Sequence, residues 1–266
     1  MAILRILVLI SLLEIIKASR STAPMIKTVH RGGTHFEGPH WSQEENALYW
    51  VDIIEQKVHR MDGQTGNVTT KQIGTMGKEV GTMVDKDQGT LYMMDQHNVM
   101  DPAVWVRPVT VSNGIAWTQD NKFMFYIDTP TRNIDVFDFN LEDGTIRNRR
   151  TIFSFVANNM TGLPDGMTID RDGNLWVACY NGGKVIKIDP RAGKLLEQHK
   201  LPASKVTSVV WGGHDLETLY VTTSNFGLNA AEHIQQPNAG SLFAIQGTGA
   251  RGLPENQFIY PGAAEY

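Results

Sequence analysis

The feature that most constrains this chain is a spacing that recurs along it. Four residues after Glu37 comes Trp41, fifteen after it Asp52, and ten further on Asp62, before a turn ending at Gly66. The same intervals start again at Asn113, with Trp117, Asp128 and Asp138. From Asp165 the residue four on is Ile169, an apolar run closes at Val177 to Cys179, and Asp189 precedes the turn Pro190 to Gly193. A looser copy starts at Thr207, with Trp211 four on and further runs at Leu219 to Val221 and Ser241 to Ile245. The clearest unit is Gly162 to Asp189. It holds apolar or alternating runs at Met167 to Ile169, Leu175 to Cys179 and Lys184 to Ile188, parted by turns at Asp170 to Gly173 and Asn181 to Gly183. Short β-rich runs between turn residues are the mark of antiparallel meanders. Self-similarity at about 40–50 residues with several strands per unit predicts an all-β fold, a β-propeller whose inner strands line a central channel.

In that architecture Glu37, Asn113, Asp165 and Thr207 share one phase and point at one axial space. The first three are each followed by glycine, which permits close backbone approach at a crowded axis. Glu, Asn and Asp, with no cysteine or histidine at that phase, suit a hard divalent cation. Calcium comes first, magnesium and manganese are compatible, and zinc more often takes nitrogen and sulfur. The other reading is that these groups cap inner strands and hydrogen-bond channel water; spacing leaves both open. With a cation in place to polarise a carbonyl, an adjacent carboxylate would activate water, which favours hydrolysis of an ester-like bond over redox chemistry. The chain has no GxSxG elbow, phosphate loop or HExxH motif. His35 and His40 flank Glu37, and a histidine beside Trp41 reads as a packed or hydrogen-bonded residue. His214 and His233 are expected in loops.

The intervals are uneven. Glu37 to Asn113 spans 76 residues, against 52 for Asn113 to Asp165 and 42 for Asp165 to Thr207. Two ordinary units need about 90 residues. Within Lys71 to Asp95 there is one clear strand, Thr90 to Met94, and no polar residue followed by glycine at the right phase. A unit is partly missing there. The rest of the chain is ordinary for a globular protein, 266 residues with 41% hydrophobic and 20% charged side chains. A net charge of −4 without a basic stripe argues against a nucleic-acid partner, and Arg147 to Arg150 reads as a solvated strand end. The single cysteine, Cys179, excludes an intrachain disulfide and a cysteine zinc site; within the run WVACY it reads as an inert core thiol.

The first 23 residues differ in kind. One positive charge within Met1 to Arg5, a nearly all-apolar Ile6 to Leu13, and small residues at Ala18, Ser19, Ser21 and Ala23 follow the order of a secretory signal peptide. The apolar part is too short for a membrane span. A secreted protein is expected, the alternative being an amphipathic leader on a cytoplasmic one. The sequons Asn67-Val68-Thr69 and Asn159-Met160-Thr161 are compatible with secretion.

Four motifs carry a resemblance: Glu37-Gly-Pro-His-Trp41, Ser112-Asn113-Gly114, Pro164-Asp165-Gly-Met167 and Leu175-Trp-Val-Ala-Cys-Tyr-Asn-Gly-Gly183. In these the chain resembles the regucalcin family, the senescence marker protein, gluconolactonase and luciferin-regenerating enzyme group. The resemblance runs from about Phe36 to about Ile245 and is closest from Val111 to Val221. It implies a six-bladed propeller over residues 24–266 with one divalent metal on its axis, held by Glu37, Asn113 and Asp165. It also implies hydrolysis of a small-molecule sugar lactone with Asp165 as general base. One departure stands out. Family members carry an Arg-Phe-Asn-Asp-Gly-like segment that binds substrate, whereas here Glu79-Val80 runs straight into Gly81-Thr82-Met83. The deletion near 79–83 falls where the spacing finds a unit short, so two further readings stay open. One is a calcium-binding propeller without turnover. The other is an extracellular interaction module, since Leu48-Tyr-Trp-Val-Asp52 is similar to the YWTD repeats of receptor ectodomains.

Overall fold

A computed structural model describes residues 23–73, 109–142 and 144–255, and the backbone alone at 80–84 and 91–95. The expected leader lies outside these residues except for Ala23, and of the segment near 79–83 only the backbone from residue 80 is described.

The chain folds as successive antiparallel meanders. Strand β1 (Met25–His30) comes first, followed by a four-stranded sheet of β2 (Phe36–Ser42), β3 (Ala47–Asp52), β4 (Lys57–Asp62) and β5 (Val68–Gln72). A two-stranded hairpin, β6 (Val80–Val84) and β7 (Leu91–Asp95), comes next. Two more complete sheets follow. One holds β8 (Ser112–Trp117), β9 (Phe123–Asp128), β10 (Asn133–Phe139) and β11 (Ile146–Ser154). The other holds β12 (Leu163–Ile169), β13 (Leu175–Tyr180), β14 (Lys184–Asp189) and β15 (Lys194–Lys200). The last sheet runs β16 (Lys205–Gly212), β17 (Thr218–Ser224) and β18 (Leu242–Gln246), and β1 returns from the start of the chain to pair with β18 as its fourth strand. A short helix, α1 (Ala230–Gln235), interrupts β17 and β18 and carries His233, which corrects its expected place in a loop. Its capping box between Asn229 and Glu232 fixes where it begins.

The four spacing markers all fall on first strands of sheets, and those strands lie side by side: β8 beside β12, β12 beside β16, β16 beside β2. The residue four beyond the marker explains the stacking. Trp41 of β2 stacks on Tyr220 of β17 (5.8 Å between centroids), and Trp211 of β16 meets Trp176 of β13 edge-on (5.1 Å). Each of these tryptophans thus packs against the second strand of the preceding sheet and joins two meanders into one core. A second core lies between the β8 and β12 sheets, around Phe125, Ile127, Val177 and Ile186.

The aspartates fifteen residues on have a different task. Asp52 accepts the N–H groups of Thr34 (2.7 Å) and His35 (3.2 Å), and Asp128 those of Thr110 (3.1 Å) and Val111 (2.9 Å). The segments that lead into β2 and β8 are therefore each pinned by a buried carboxylate from the neighbouring strand. In the turn after β12, buried Asp170 accepts from the Asn174 N–H (2.8 Å) and the Trp176 indole (2.9 Å). Cys179 is buried in β13 and burial pushes its thiol up to about 12, as an inert core residue requires. The arginine cluster lies on outer strand β11, where Arg149 pairs with Asp135 (2.7 Å) and Arg150 with Asp138 (2.8 Å), so its charge is matched within its own sheet.

Candidate metal centre

Each first strand slips register at its marker residue. Pairing shifts between Glu37 and His40 in β2, Ser112 and Ile115 in β8, Pro164 and Met167 in β12, and Val206 and Ser208 in β16. Such bulges bend a strand and re-aim the side chains within it. Glycine makes the close approach possible. A Cβ on Gly166 would lie 2.6 Å from the Ser208 Cα, and one on Gly114 would lie 2.7 Å from the Asp165 carbonyl oxygen.

The bulges bring Glu37, Asn113 and Asp165 together, while Thr207 is diverted. Its hydroxyl donates to the Phe36 carbonyl (2.6 Å) and lies 2.8 Å from the Thr222 hydroxyl, so it ties β16 to β2 and β17. Asp165 is 6% exposed, and its Oδ1 is buried with no hydrogen-bond partner among the described residues. Burial pushes its carboxyl well above the usual range and the Glu37 charge pushes the same way, against the Asn113 side chain and the Gly166 N–H, which favour the ionised form. Burial likewise raises Glu37 to about 7, opposed by the Gly38 N–H at 3.1 Å. Two carboxyls held close, Asp165 buried with an orphaned oxygen and Glu37 half-buried, form an electrostatic demand for positive charge. Among the described residues no three His, Cys, Asp or Glu side chains gather as a metal-binding group, so a donor set here needs the Asn113 amide as its third member. Two carboxylates and one amide are oxygen donors for a hard cation, and the set fits one.

A second layer of residues surrounds this cluster, and sequence spacing does not single it out. His35, Leu163 and Lys205 each stand two residues before a marker. His35 Nδ1 lies 3.0 Å from the Ser224 hydroxyl and its Nε2 lies 4.0 Å from Glu37 Oε1. Burial lowers the His35 pKa; the Asp52 charge opposes this and the Lys205 charge adds to it. Tyr180, paired with Leu163, is raised by burial and then by the Asp165 and Glu37 charges. His40 points elsewhere and ion-pairs with Glu255, and His214 is exposed beside Asp215.

Fold and cluster together define an all-β protein of stacked four-stranded meanders with carboxylate and amide donors where the inner strands adjoin. The profile of the SMP-30/Gluconolactonase/LRE-like region matches residues 36–102 and 71–225. Regucalcin of Bos taurus is 38% identical over 240 residues, covering 89% of this chain and 78% of its own. Regucalcin of Danio rerio is 32% identical over 279 residues, covering 82% of this chain and 92% of its own. Among solved structures, a regucalcin from Agrobacterium tumefaciens, described as a calcium-binding protein, superposes with a TM-score of 0.75 at 16% identity over 88% of this chain and 97% of its own. The chain belongs to the SMP-30/gluconolactonase/LRE-like family.

Proposed function

We propose that this protein is a divalent-metal-dependent hydrolase of sugar lactones, built as a six-bladed type of propeller with one unit shortened between β5 and β8. The observation that carries the reading is the buried, unpartnered Asp165 Oδ1 beside Glu37 and Asn113. Family membership supports the substrate class, since gluconolactonases give the family part of its name. The shortened unit is supported by the Danio rerio match, which runs over 279 residues while drawing on 82% of a 266-residue chain, so that relative carries a stretch without counterpart here.

Glu37, Asn113 and Asp165 would hold the cation, calcium first and zinc, magnesium or manganese as alternatives; when bound, it polarises the lactone carbonyl. Asp165 takes a proton from water as the water oxygen bonds to the carbonyl carbon. The bond between that carbon and the ring oxygen breaks, the ring oxygen receives the proton, and the open hydroxy acid leaves. Replacing Asp165 by Ala should lower kcat/KM for glucono-δ-lactone by about 100-fold or more. Undiminished hydrolysis would overturn the assignment.

A second reading rests on the missing Arg-Phe-Asn-Asp-Gly-like segment before Gly81. A chain that binds calcium without turnover would show a calcium-raised unfolding midpoint and hydrolyse no aldonolactone. We also place residues 1–23 as a secretory leader; an N-terminus near Pro24 on protein recovered from culture medium tests it, and retention of those residues in the cytoplasm refutes it.

A further inference from the structure

One cation near the cluster, Lys205, has no carboxylate partner among the described residues. Lys205 opens β16, the strand that lies between β12 with Asp165 and β2 with Glu37. It precedes Thr207 by two residues, as His35 precedes Glu37. Two contacts place its ammonium on the rim: the Nζ donates to the Phe226 carbonyl and lies 5.9 Å from the centroid of the Tyr180 ring. His35, whose ring meets that of Phe226, holds its Nε2 4.0 Å from Glu37 Oε1, and Tyr180 pairs in register with Leu163, two residues before Asp165. The rim is built: Lys205 pairs in register with Ser224, and the Ser224 hydroxyl meets His35 Nδ1 and donates to the Thr34 carbonyl (3.1 Å). Phe226 is 51% exposed beside it, and its ring meets His35 edge-on at 6.4 Å, leaving an aromatic face for the C–H face of a sugar.

An ammonium has three donors, and the Phe226 carbonyl engages one; among the described residues no carboxylate pairs with Lys205. A positive charge held on the rim that Tyr180, Phe226 and His35 share suits a ligand whose reacting end sits at the carboxylates and whose far end is negative. We propose that Lys205 is a specificity residue of this site, selecting sugar lactones and sugar acids that carry an anionic group, carboxylate or phosphate, at the end away from the reacting carbonyl. This rests on the lactonase reading for the reaction and on the rim geometry alone for the binding.

The test separates the two. With calcium present, calorimetry would measure the affinity of the unsubstituted chain and of Lys205→Gln for gluconate, glucarate and 6-phosphogluconate. Gluconate supplies one carboxylate, while the other two add a distal carboxylate or phosphate. In the unsubstituted chain the distally charged ligands bind more tightly than gluconate, and Lys205→Gln lowers that preference by about tenfold or more, the scale of a hydrogen bond to a charged group. Lys205→Arg keeps most of it, and whichever of glucarate and 6-phosphogluconate loses more identifies the distal group. Equal binding of all three acids by the unsubstituted chain, or a preference unmoved in Lys205→Gln, overturns the assignment. In turnover, the ratio of kcat/KM for a distally charged lactone over glucono-δ-lactone falls by the same factor. Should the chain hydrolyse no lactone, the enzymatic reading falls, and the calorimetric preference still decides the role of Lys205.

Discussion

At the scale of single residues, the site is a pair of carboxyls, one buried and one half-buried, that repel each other. Glu37 has an ordinary value near 4.5 and is raised to about 7. Below 4.5 it is protonated whether the chain is folded or unfolded and costs nothing. Between 4.5 and about 7 the unfolded chain releases the proton and the folded chain does not, so stability drains away over that window. His59 works the other way. Burial lowers it to about 4, so the folded chain is destabilised as pH falls from 6.5 toward 4. The two trends oppose each other in the total stability. Calcium acts on the carboxyls alone, so the rise it causes in the unfolding midpoint should grow from pH 4.5 to 7; a rise that is flat across that range would refute the assignment of Glu37 to the cation. Asp165→Asn removes one charge at constant shape. Its metal-free midpoint should exceed that of the unsubstituted chain at pH 7, and calcium should no longer raise it. Spacing in the sequence singled out the residues that meet here, Glu37, Asn113 and Asp165. It placed Thr207 with them because a phase cannot show that a hydroxyl is engaged by the Phe36 carbonyl. Tyr180 stands fifteen residues after Asp165, as Asp52 and Asp128 follow their markers, and Lys205 two before Thr207, but with Ser224 they become visible as one rim only when neighbouring strands are side by side.

At the scale of the element, the inner strands do two jobs, packing through the residue four beyond the marker and presenting donors through a bulge. Glycine connects them. A methyl group on Gly166 would meet Ser208 at 2.1 Å from its Oγ, 2.5 Å from its Cβ and 2.6 Å from its Cα. The first two atoms can be removed and the backbone cannot. Gly166→Ala should therefore cost about 1–3 kcal/mol or more of stability, and adding Ser208→Gly should return only part of it. An alanine at 166 with unchanged midpoint would show that β12 and β16 are further apart than described. Legibility in the sequence follows the same logic. Strands buried on both faces, such as Leu175–Tyr180, stand out as apolar runs. β15 (Lys194–Lys200) is not singled out by the sequence because it is an outer strand whose alternate residues Lys194, Leu196, Gln198 and Lys200 lie in solvent, so no long apolar run marks it. The proposed shortening of one unit rests on a count of residues between markers, and β6 with β7 occupies that interval.

At the scale of the whole molecule, the fold depends on a pairing between its two ends. Met25 pairs with Gln246, Ile26 with Ile245, Lys27 with Ala244 and Thr28 with Phe243. Every other pairing in the four-stranded sheets joins strands adjacent in sequence. Folding must therefore bring together segments more than 200 residues apart, the kind of contact that is slow to form because loop closure precedes any gain. Without β1, the hydrogen-bonding edge of β18 is bare, and an unpaired edge recruits other chains. The loss also reaches the site. The His30 ring at the end of β1 lies 6.0 Å from Phe36 and 5.5 Å from both Trp50 and His59, so it closes the core directly behind the strand that carries Glu37. A chain that starts at Gly32 should melt at a lower temperature than one that starts at Pro24, by several degrees for each kcal/mol lost from Ile26, Val29 and their ladder bonds. It should also elute as larger species and respond less to calcium. A peptide of residues 24–31 added in trans should restore the midpoint in proportion to its concentration, because it binds only the folded form. Equal midpoints for the two chains would mean that the last sheet is stable with three strands. The proposed cation site would then owe nothing to closure of the ends, and its integrity would rest on the tryptophan contacts between neighbouring meanders alone.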